Sequence, residues 1–522
     1  MISTSFTEIL SILFVCLIIY VSHYYYKYFT RENPLPGPIP LPLIGNLFQI
    51  CSDTAVWPSK LQEKYGDFYE VYVGSRRLIW LCSEDLIQKI MKPTINGNFH
   101  NLVSADNDGL EEIGLLDSGV VYNLNYKNWE YHRRFYARTI AKPLFLIQTL
   151  SIIQEEFKEM ENYWENLGED TVLDLSHWMK RYFTDTLFLI AANKQARSLA
   201  SYYGSLSGKR NECTSESILK ESDTFLEAVD GFAMCLIYFL LFPKIVRNFP
   251  GIKSYTQRLK NQLNWFRNST LNIIKERREE IERTPEDQQL TYDILTMFIT
   301  INTPRDITEK IADNLHDKPM SDEEICGNFI ETITGGIDTS SNSICFIIHY
   351  LSHYPNVKGR LMEEFDRVLG KDPNYKITYD DIGKLEYCEA VISECSRIFS
   401  VLPILFKNNA NPDEIGGLTF PANTQFYINF QGIHKHKSLW ENPEEFNPER
   451  FMDKTNPESK NPLYTFGGPG RNLGMMELKV TLALLYRKYD VELADMKAPI
   501  KFHTTVVRTC DELKVRIKKR KI

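Results

Sequence analysis

The sequence predicts a mainly α-helical protein with small β sheets, preceded by one N-terminal transmembrane helix. Three observations lead there. Residues 9–29 form a largely apolar and aromatic run. From Leu61 onward apolar residues recur at helical spacing, with only short strand-like stretches between them. One capped run, Ser321 to Tyr354, is long enough to cross a whole domain.

Each element can be justified in chain order. Ile9 to Val21 are almost all apolar and Ser22 to Phe29 continue with four tyrosines, roughly 20 residues and the length of a membrane span. The run is too long for a cleaved signal peptide, and no small-residue cleavage site follows it. Lys27 and Arg31 stand at its end, so the positive-inside tendency puts the following body on the cytosolic side. Tyr24, Tyr25, Tyr26 and Tyr28 suit the membrane interface. The alternative is a buried helix of the body itself. Residues 1–30 are therefore the expected anchor.

Asn33 to Pro42 holds five prolines, each fixing φ and removing a donor, so residues 31–45 are expected to form a stiff extended hinge. Residues 46–522 then make one body, without a second linker or an internal repeat. Within it, Phe68–Val73 and Leu78–Leu81 read as strands, and Lys275 to Gln289 as a solvated helix end and loop. Ser321-Asp-Glu-Glu324 is a capping box, and the periodic run after it stops just before Pro355. Pro355 opens a second helix that ends near Gly370. The tail alternates Lys514, Arg516 and Lys518 with Val515 and Ile517, a strand with one solvated face.

Composition narrows the classes. The 522 residues are 43% hydrophobic and 25% charged, an ordinary globular balance that needs no disulfide staples. Ten cysteines lie scattered without a CxxC pair, which excludes a disulfide framework or zinc ribbon and fits a reducing, cytosol-facing environment. A net charge of −8 leaves no electrostatic footprint for nucleic acid, and none is expected as a partner.

Three motifs carry chemistry. The long helix contains Gly335-Gly336-Ile337-Asp338-Thr339-Ser340. Adjacent helical glycines cost roughly 1 kcal/mol each against alanine, so they imply close approach of something flat or bulky, or else a kinked core helix. Asp338 and Thr339 offer a carboxylate and a hydroxyl for proton delivery. Next, Glu394-Cys-Ser-Arg397 places a carboxylate and a guanidinium at i, i+3, facing each other on a helix. Leu385, Val391, Ile392, Ile398 and Phe399 around the pair point to burial, which demands further hydrogen-bond partners. Phe446-Asn-Pro-Glu-Arg-Phe451 supplies one in Arg450.

Taken in order, the GGxDT helix, the ExxR helix and the PERF box resemble those of the cytochrome P-450 family, and the likeness runs through essentially the whole chain. The anchor and proline-rich hinge look like those of microsomal members. Trp129-Glu-Tyr-His-Arg133 is similar to the family's WxxxR helix, and Trp440-Glu-Asn-Pro443 leads into the PERF box as it does there. The resemblance implies the cytochrome P-450 fold and a haem b cofactor. It implies that Thr339, with Asp338 beside it, delivers protons to bound dioxygen. Glu394, Arg397 and Arg450 would form a structural triad. Trp129 and Arg133 would reach a haem propionate, as would Lys407, which keeps the charge of an arginine but loses its fork. Phe466 and Gly470 would flank the haem.

The family's haem loop reads FxxGxRxCxG, with a glutamate nine places after the cysteine, whereas this chain has Phe466-Gly-Gly-Pro-Gly-Arg-Asn-Leu-Gly-Met-Met-Glu477. Aligned on Phe466, Arg471 meets the motif arginine and Leu473 replaces the cysteine. Aligned on the following helix, Glu477 meets the family's glutamate and five residues, GxRxC, are absent between Gly468 and Pro469. The second register is preferred because it explains the whole helix. In both, the axial cysteine is absent and no metal ligand is assigned. Cys395, Cys510, Met475 and Met476 lack the context to replace it.

The reaction implied is insertion of one oxygen atom from O2 into an apolar organic substrate. Electrons would come from NADPH through a flavoprotein reductase, at the endoplasmic reticulum membrane, with a single-pass anchor and a cytosolic catalytic domain. The alternative is an inactive relative with a binding or scaffold role, because thiolate donation favours O–O cleavage in this class.

Overall fold

The computed structural model describes residues 6–50, 57–74, 76–91, 98–99, 108–140, 142–168, 171–208, 216–308, 318–453, 455 and 470–520. The chain forms two compact units, residues 1–100 with 405–432, and residues 101–404 with 433–522.

The smaller unit begins with α1 (Phe6–Phe29), whose stretch Leu10–Phe29 is apolar enough to cross a membrane and is exposed from Leu10 to Tyr20. Only the far end is docked: Tyr28 is buried, its ring 5.6 Å from that of Tyr72, and the Tyr25 hydroxyl donates to the Pro40 carbonyl at 3.3 Å. Just beyond the helix, Arg31 and Arg77 each reach the buried Glu70 carboxylate at 2.5 Å. The proline-rich segment keeps its carbonyls as acceptors, and Glu70 N–H donates to Pro36 O at 2.9 Å. The segment is therefore extended and laid against a sheet. That sheet holds β1 (Phe68–Val73), β2 (Arg76–Leu81), β3 (Ile404–Asn408) and β4 (Gln425–Asn429) in the order β1-β2-β4-β3. Phe68 pairs with Leu81 antiparallel, and Leu78 pairs with Gln425 in parallel. The returning strands come from more than three hundred residues away, a pairing that local pattern does not encode.

The larger unit is helical. It includes α2 (Tyr126–Thr139), α3 (Pro143–Leu167), α4 (Leu175–Ala192), α5 (Glu216–Leu241), α6 (Lys253–Arg283), α7 (Asp322–His353), α8 (Pro355–Leu369), α9 (Glu386–Ile398) and α10 (Arg471–Lys488). Helix α7 is the expected long helix. Ser321 Oγ accepts from Glu324 N–H, Glu324 Oε2 accepts from Ser321 N–H, and Pro355 opens α8, which ends before Gly370 at φ +72°. Its Phe329, Ile333, Ile337, Ile344 and Ile348 are buried among Tyr182, Leu187, Leu361 and Val391 in the main core. The apolar stretch Lys220–Leu241 of α5 also has spanning length, but half of it is buried, so it reads as a core helix. At the C-terminus, β5 (Tyr489–Leu493) pairs antiparallel with the strand Lys514–Lys519, which turns Val515 and Ile517 inward and its lysines and arginine outward.

Candidate active site

The glycine pair on α7 faces a cavity of about 330 Å³, small for a ligand pocket and mostly apolar in its lining. The two glycines do different things. A Cβ at Gly335 would meet no atom within 4 Å and would point into open space. A Cβ at Gly336 would stand 2.7 Å from Leu187 Cδ2, so Gly336 lets α7 lie against α4. One turn on, Thr339 lines the cavity and its hydroxyl donates to the Gly335 carbonyl at 2.7 Å. Asp338 does not join it. Successive helical residues project about 100° apart, and the Asp338 carboxylate instead meets Lys180 of α4 at 3.1 Å, away from the cavity lining. The expected adjacent acid and alcohol are thus neighbours in sequence with separate surroundings.

The opposite wall is the start of α10. Gly470 caps this helix, and Gly470, Leu473 and Glu477 line the cavity. Leu473 is a buried residue of the first helical turn, and Met476 is buried in the core. Ser340 Oγ donates to Glu477 Oε2 at 2.9 Å, and burial pushes the Glu477 carboxyl up to about 7. A second buried acid, Glu331 of α7, lines the cavity and accepts from three backbone N–H groups, those of Val120, Val121 and Tyr122. Sequence reasoning passed over Glu331. The only local signal was an acid amid an apolar helical run.

The carboxylate–guanidinium pair on α9 is fully buried. Arg397 Nε and Nη2 donate to the two oxygens of Glu394 at 2.6 and 2.8 Å. Arg397 also donates to the carbonyls of His434, Pro443 and Glu445, and its guanidinium lies 5.1 Å from the Trp440 ring centroid. Glu394 Oε1 further accepts from Asn447 N–H at 2.8 Å and from Arg450 Nε at 3.3 Å. Arg450 sits on the short 3₁₀ turn Pro448–Phe451 and donates to Asn442 O. Every charge is paired and every fork is used, the condition under which a buried ion pair is tolerated.

Two of the other expected haem contacts, Trp129 and Arg133, share α2. Arg133 on α2 is half-buried, 5.7 Å from the Trp129 ring centroid, and desolvation lowers its pKa. Neither residue lines the cavity. Lys407 is half-buried on β3 in the smaller unit. Phe466, Gly468 and Pro469 lie outside the described residues.

A haem held by thiolate does not fit this donor set. Among the described residues, the cavity lining contains no cysteine, histidine or methionine. The sequence has no cysteine at all between Cys395 and Cys510. Those two are buried on α9 and in the strand Arg508–Glu512, and burial drives the Cys395 thiol far above its usual range, toward the unreactive protonated form. The apolar seat is present, but among the described residues the iron donor is not.

Residues 35–517 match the family model described as Cytochrome P-450. Similar proteins include cytochrome P-450 3A17 of Cavia porcellus, 25% identical over 88% of this chain and 86% of the relative. Cytochrome P-450 3A5 of Homo sapiens is 26% identical over 92% and 91%, and cytochrome P-450 71B14 of Arabidopsis thaliana is 23% identical over 89% and 88%. With the mainly helical fold, the glycine-opened cavity on α7 and a family match across nearly its whole length, this chain belongs to the cytochrome P-450 family, whose haem monooxygenases are oxidoreductases.

Proposed function

We propose that this protein is a membrane-anchored monooxygenase whose cavity takes a small apolar organic molecule and O2, with electrons from NADPH through a flavoprotein reductase. The observation that carries the reading is the cavity itself: apolar walls, a helix opened at Gly335, and the Thr339 hydroxyl at its edge. In this reading the cavity excludes water from the substrate, and Thr339 Oγ holds a proton that it can release into the cavity. Asp338, buried and tied to Lys180 away from the cavity lining, would support that exchange only indirectly. Glu394, Arg397 and Arg450 would fix the helix beneath. Arg133 has no carboxylate partner among the described residues, which suits a propionate, with Trp129 beside it; Lys407 would serve a second propionate contact, and Phe466 and Gly470 would border the ring. Haem b, when bound, would supply the oxygen chemistry of the class, but among the described residues no thiolate lines the cavity for its iron. The apolar α1, exposed from Leu10 to Tyr20, supports a single-pass anchor in the endoplasmic reticulum membrane with a cytosolic body.

The missing thiolate favours a second reading for the 522-residue form: a membrane-bound protein that binds the same apolar molecule without oxidising it. A carbon monoxide difference spectrum of the purified full chain, with a binding titration of an apolar probe, separates the two. A thiolate-type Soret band supports the monooxygenase. Binding without that band supports the second reading. Failure of both sinks the cavity as a substrate site. Sequencing the transcript across the codons for Gly468 and Pro469 completes the test: five further codons including a cysteine restore the first reading.

A further inference from the structure

The buried acid Glu331 accepts three backbone hydrogen bonds, more than any other described side chain on the cavity wall. Its Oε2 accepts from Val120 N–H at 2.7 Å and Val121 N–H at 3.0 Å, and its Oε1 from Tyr122 N–H at 3.4 Å. No lysine or arginine pairs with it among the described residues, so these N–H groups are its main compensation. The loop is shaped for the contact. A Cβ at Gly119 would overlap the Glu331 carboxylate oxygen, and a Cβ at Gly327, one turn earlier on α7, would stand 2.5 Å from the Ser118 carbonyl oxygen. Residues 118–122 therefore cross α7 between Gly327 and Glu331, with a glycine at each crossing. The loop closes on itself as well: Asp117 N–H donates to Tyr122 O, and Asn123 Nδ2 donates to Gly119 O, both at 2.9 Å. Val120 and Val121, which the carboxylate holds, are cavity walls.

We infer that Glu331 is a positioning and specificity-determining residue: it gathers the 120–122 backbone and so sets how far Val120 and Val121 stand from a bound apolar substrate. The inference rests on the cavity being the substrate site. A carboxylate suits this task better than an amide, because all its lone pairs accept; a glutamine with its oxygen on Val120 and Val121 would turn its N–H₂ toward Tyr122 N–H and would lose the charge that strengthens all three bonds. The consequence is a size limit. With the loop held down, the cavity admits a slim apolar molecule and rejects a broad one; with the loop released, that preference weakens.

The test uses the full chain in detergent, with two neutral probes of different size, fluorobenzene and 4-fluorobiphenyl, read by ¹⁹F line broadening. Gly335→Trp, which fills the cavity, serves as the blank. In Glu331→Gln, amide exchange at Val120, Val121 and Tyr122 should rise at least about tenfold while exchange in α4 and α9 stays unchanged. The affinity ratio of 4-fluorobiphenyl to fluorobenzene should rise about tenfold with it. Unchanged amides overturn the clamp, and an unchanged ratio overturns the specificity role. A purely structural residue would lower both affinities together without moving the ratio. If Glu331→Gln does not fold, Gly119→Ala presses on the same carboxylate and must give the same two changes; if it gives neither, the inference fails. Should the native chain bind neither probe above the blank, the substrate-site reading falls and the specificity role with it, while amide exchange still judges the clamp.

Discussion

Replacing the two helical glycines one at a time should have opposite effects, because their surroundings differ. Gly335→Ala adds a Cβ that meets nothing within 4 Å, so it gains the full helix-propensity difference and should stabilise the larger unit by about 1 kcal/mol. Gly336→Ala gains the same propensity, but its Cβ would stand 2.7 Å from Leu187 Cδ2 and 3.5 Å from Cδ1. Overpacking of that kind costs roughly 1–3 kcal/mol, which leaves a net loss of about 0–2 kcal/mol. The two alanine variants should thus differ by about 1–3 kcal/mol in urea unfolding of the full chain, read from tryptophan fluorescence. Extending the series to Gly335→Trp should keep the fold and abolish binding of fluorobenzene, because the ring enters the 330 Å³ cavity. Equal effects of the two alanines, or undiminished binding in Gly335→Trp, would refute the assignment of Gly335 to the cavity and Gly336 to helix packing.

Other expectations follow from the same contacts. Glu394→Ala leaves the buried Arg397 and Arg450 guanidiniums uncompensated and should cost about 3–5 kcal/mol, measured by the urea midpoint; a loss below about 1 kcal/mol would contradict the buried network. Glu477, whose carboxyl is raised to about 7 by burial, binds its proton more tightly folded than unfolded. Its contribution is therefore complete below about pH 4.5 and is lost as pH rises through about 7, a change of about 3 kcal/mol. Glu477→Gln should flatten that part of the stability–pH curve, and an unaltered slope would show that Glu477 does not titrate there. Leu473→Cys should not create a thiolate-type band, because Leu473 is a packed helical residue; a band in that variant would favour the alignment on Phe466.

The sequence made some features legible and hid others for physical reasons. Helix α7 could be read from end to end because its signals are local: Ser321 and Glu324 cap each other within one turn, and Pro355 stops the run. The burial of Glu394 and Arg397 followed from the apolar residues on the same helix. Glu331 could not be recognised, since its partners are backbone N–H groups some 210 residues away and any residue type provides those. The pairing of Asp338 with Lys180 was hidden in the same way, because nothing near either residue names the other. Nor does local pattern reveal that residues 405–432 return to residues 1–100, because strand order is decided by tertiary packing.

The thiolate can be tested by comparing two proteins in one assay: the 522-residue chain, and the same chain with Gly-Ala-Arg-Ala-Cys inserted between Gly468 and Pro469. Each is reconstituted with haem, reduced, and exposed to carbon monoxide. A thiolate-type Soret band is expected in the chain with the insertion alone. The same band in the 522-residue chain, or its absence from both, would contradict the view that this fold keeps the substrate cavity of its family and lacks only the sulfur behind the iron.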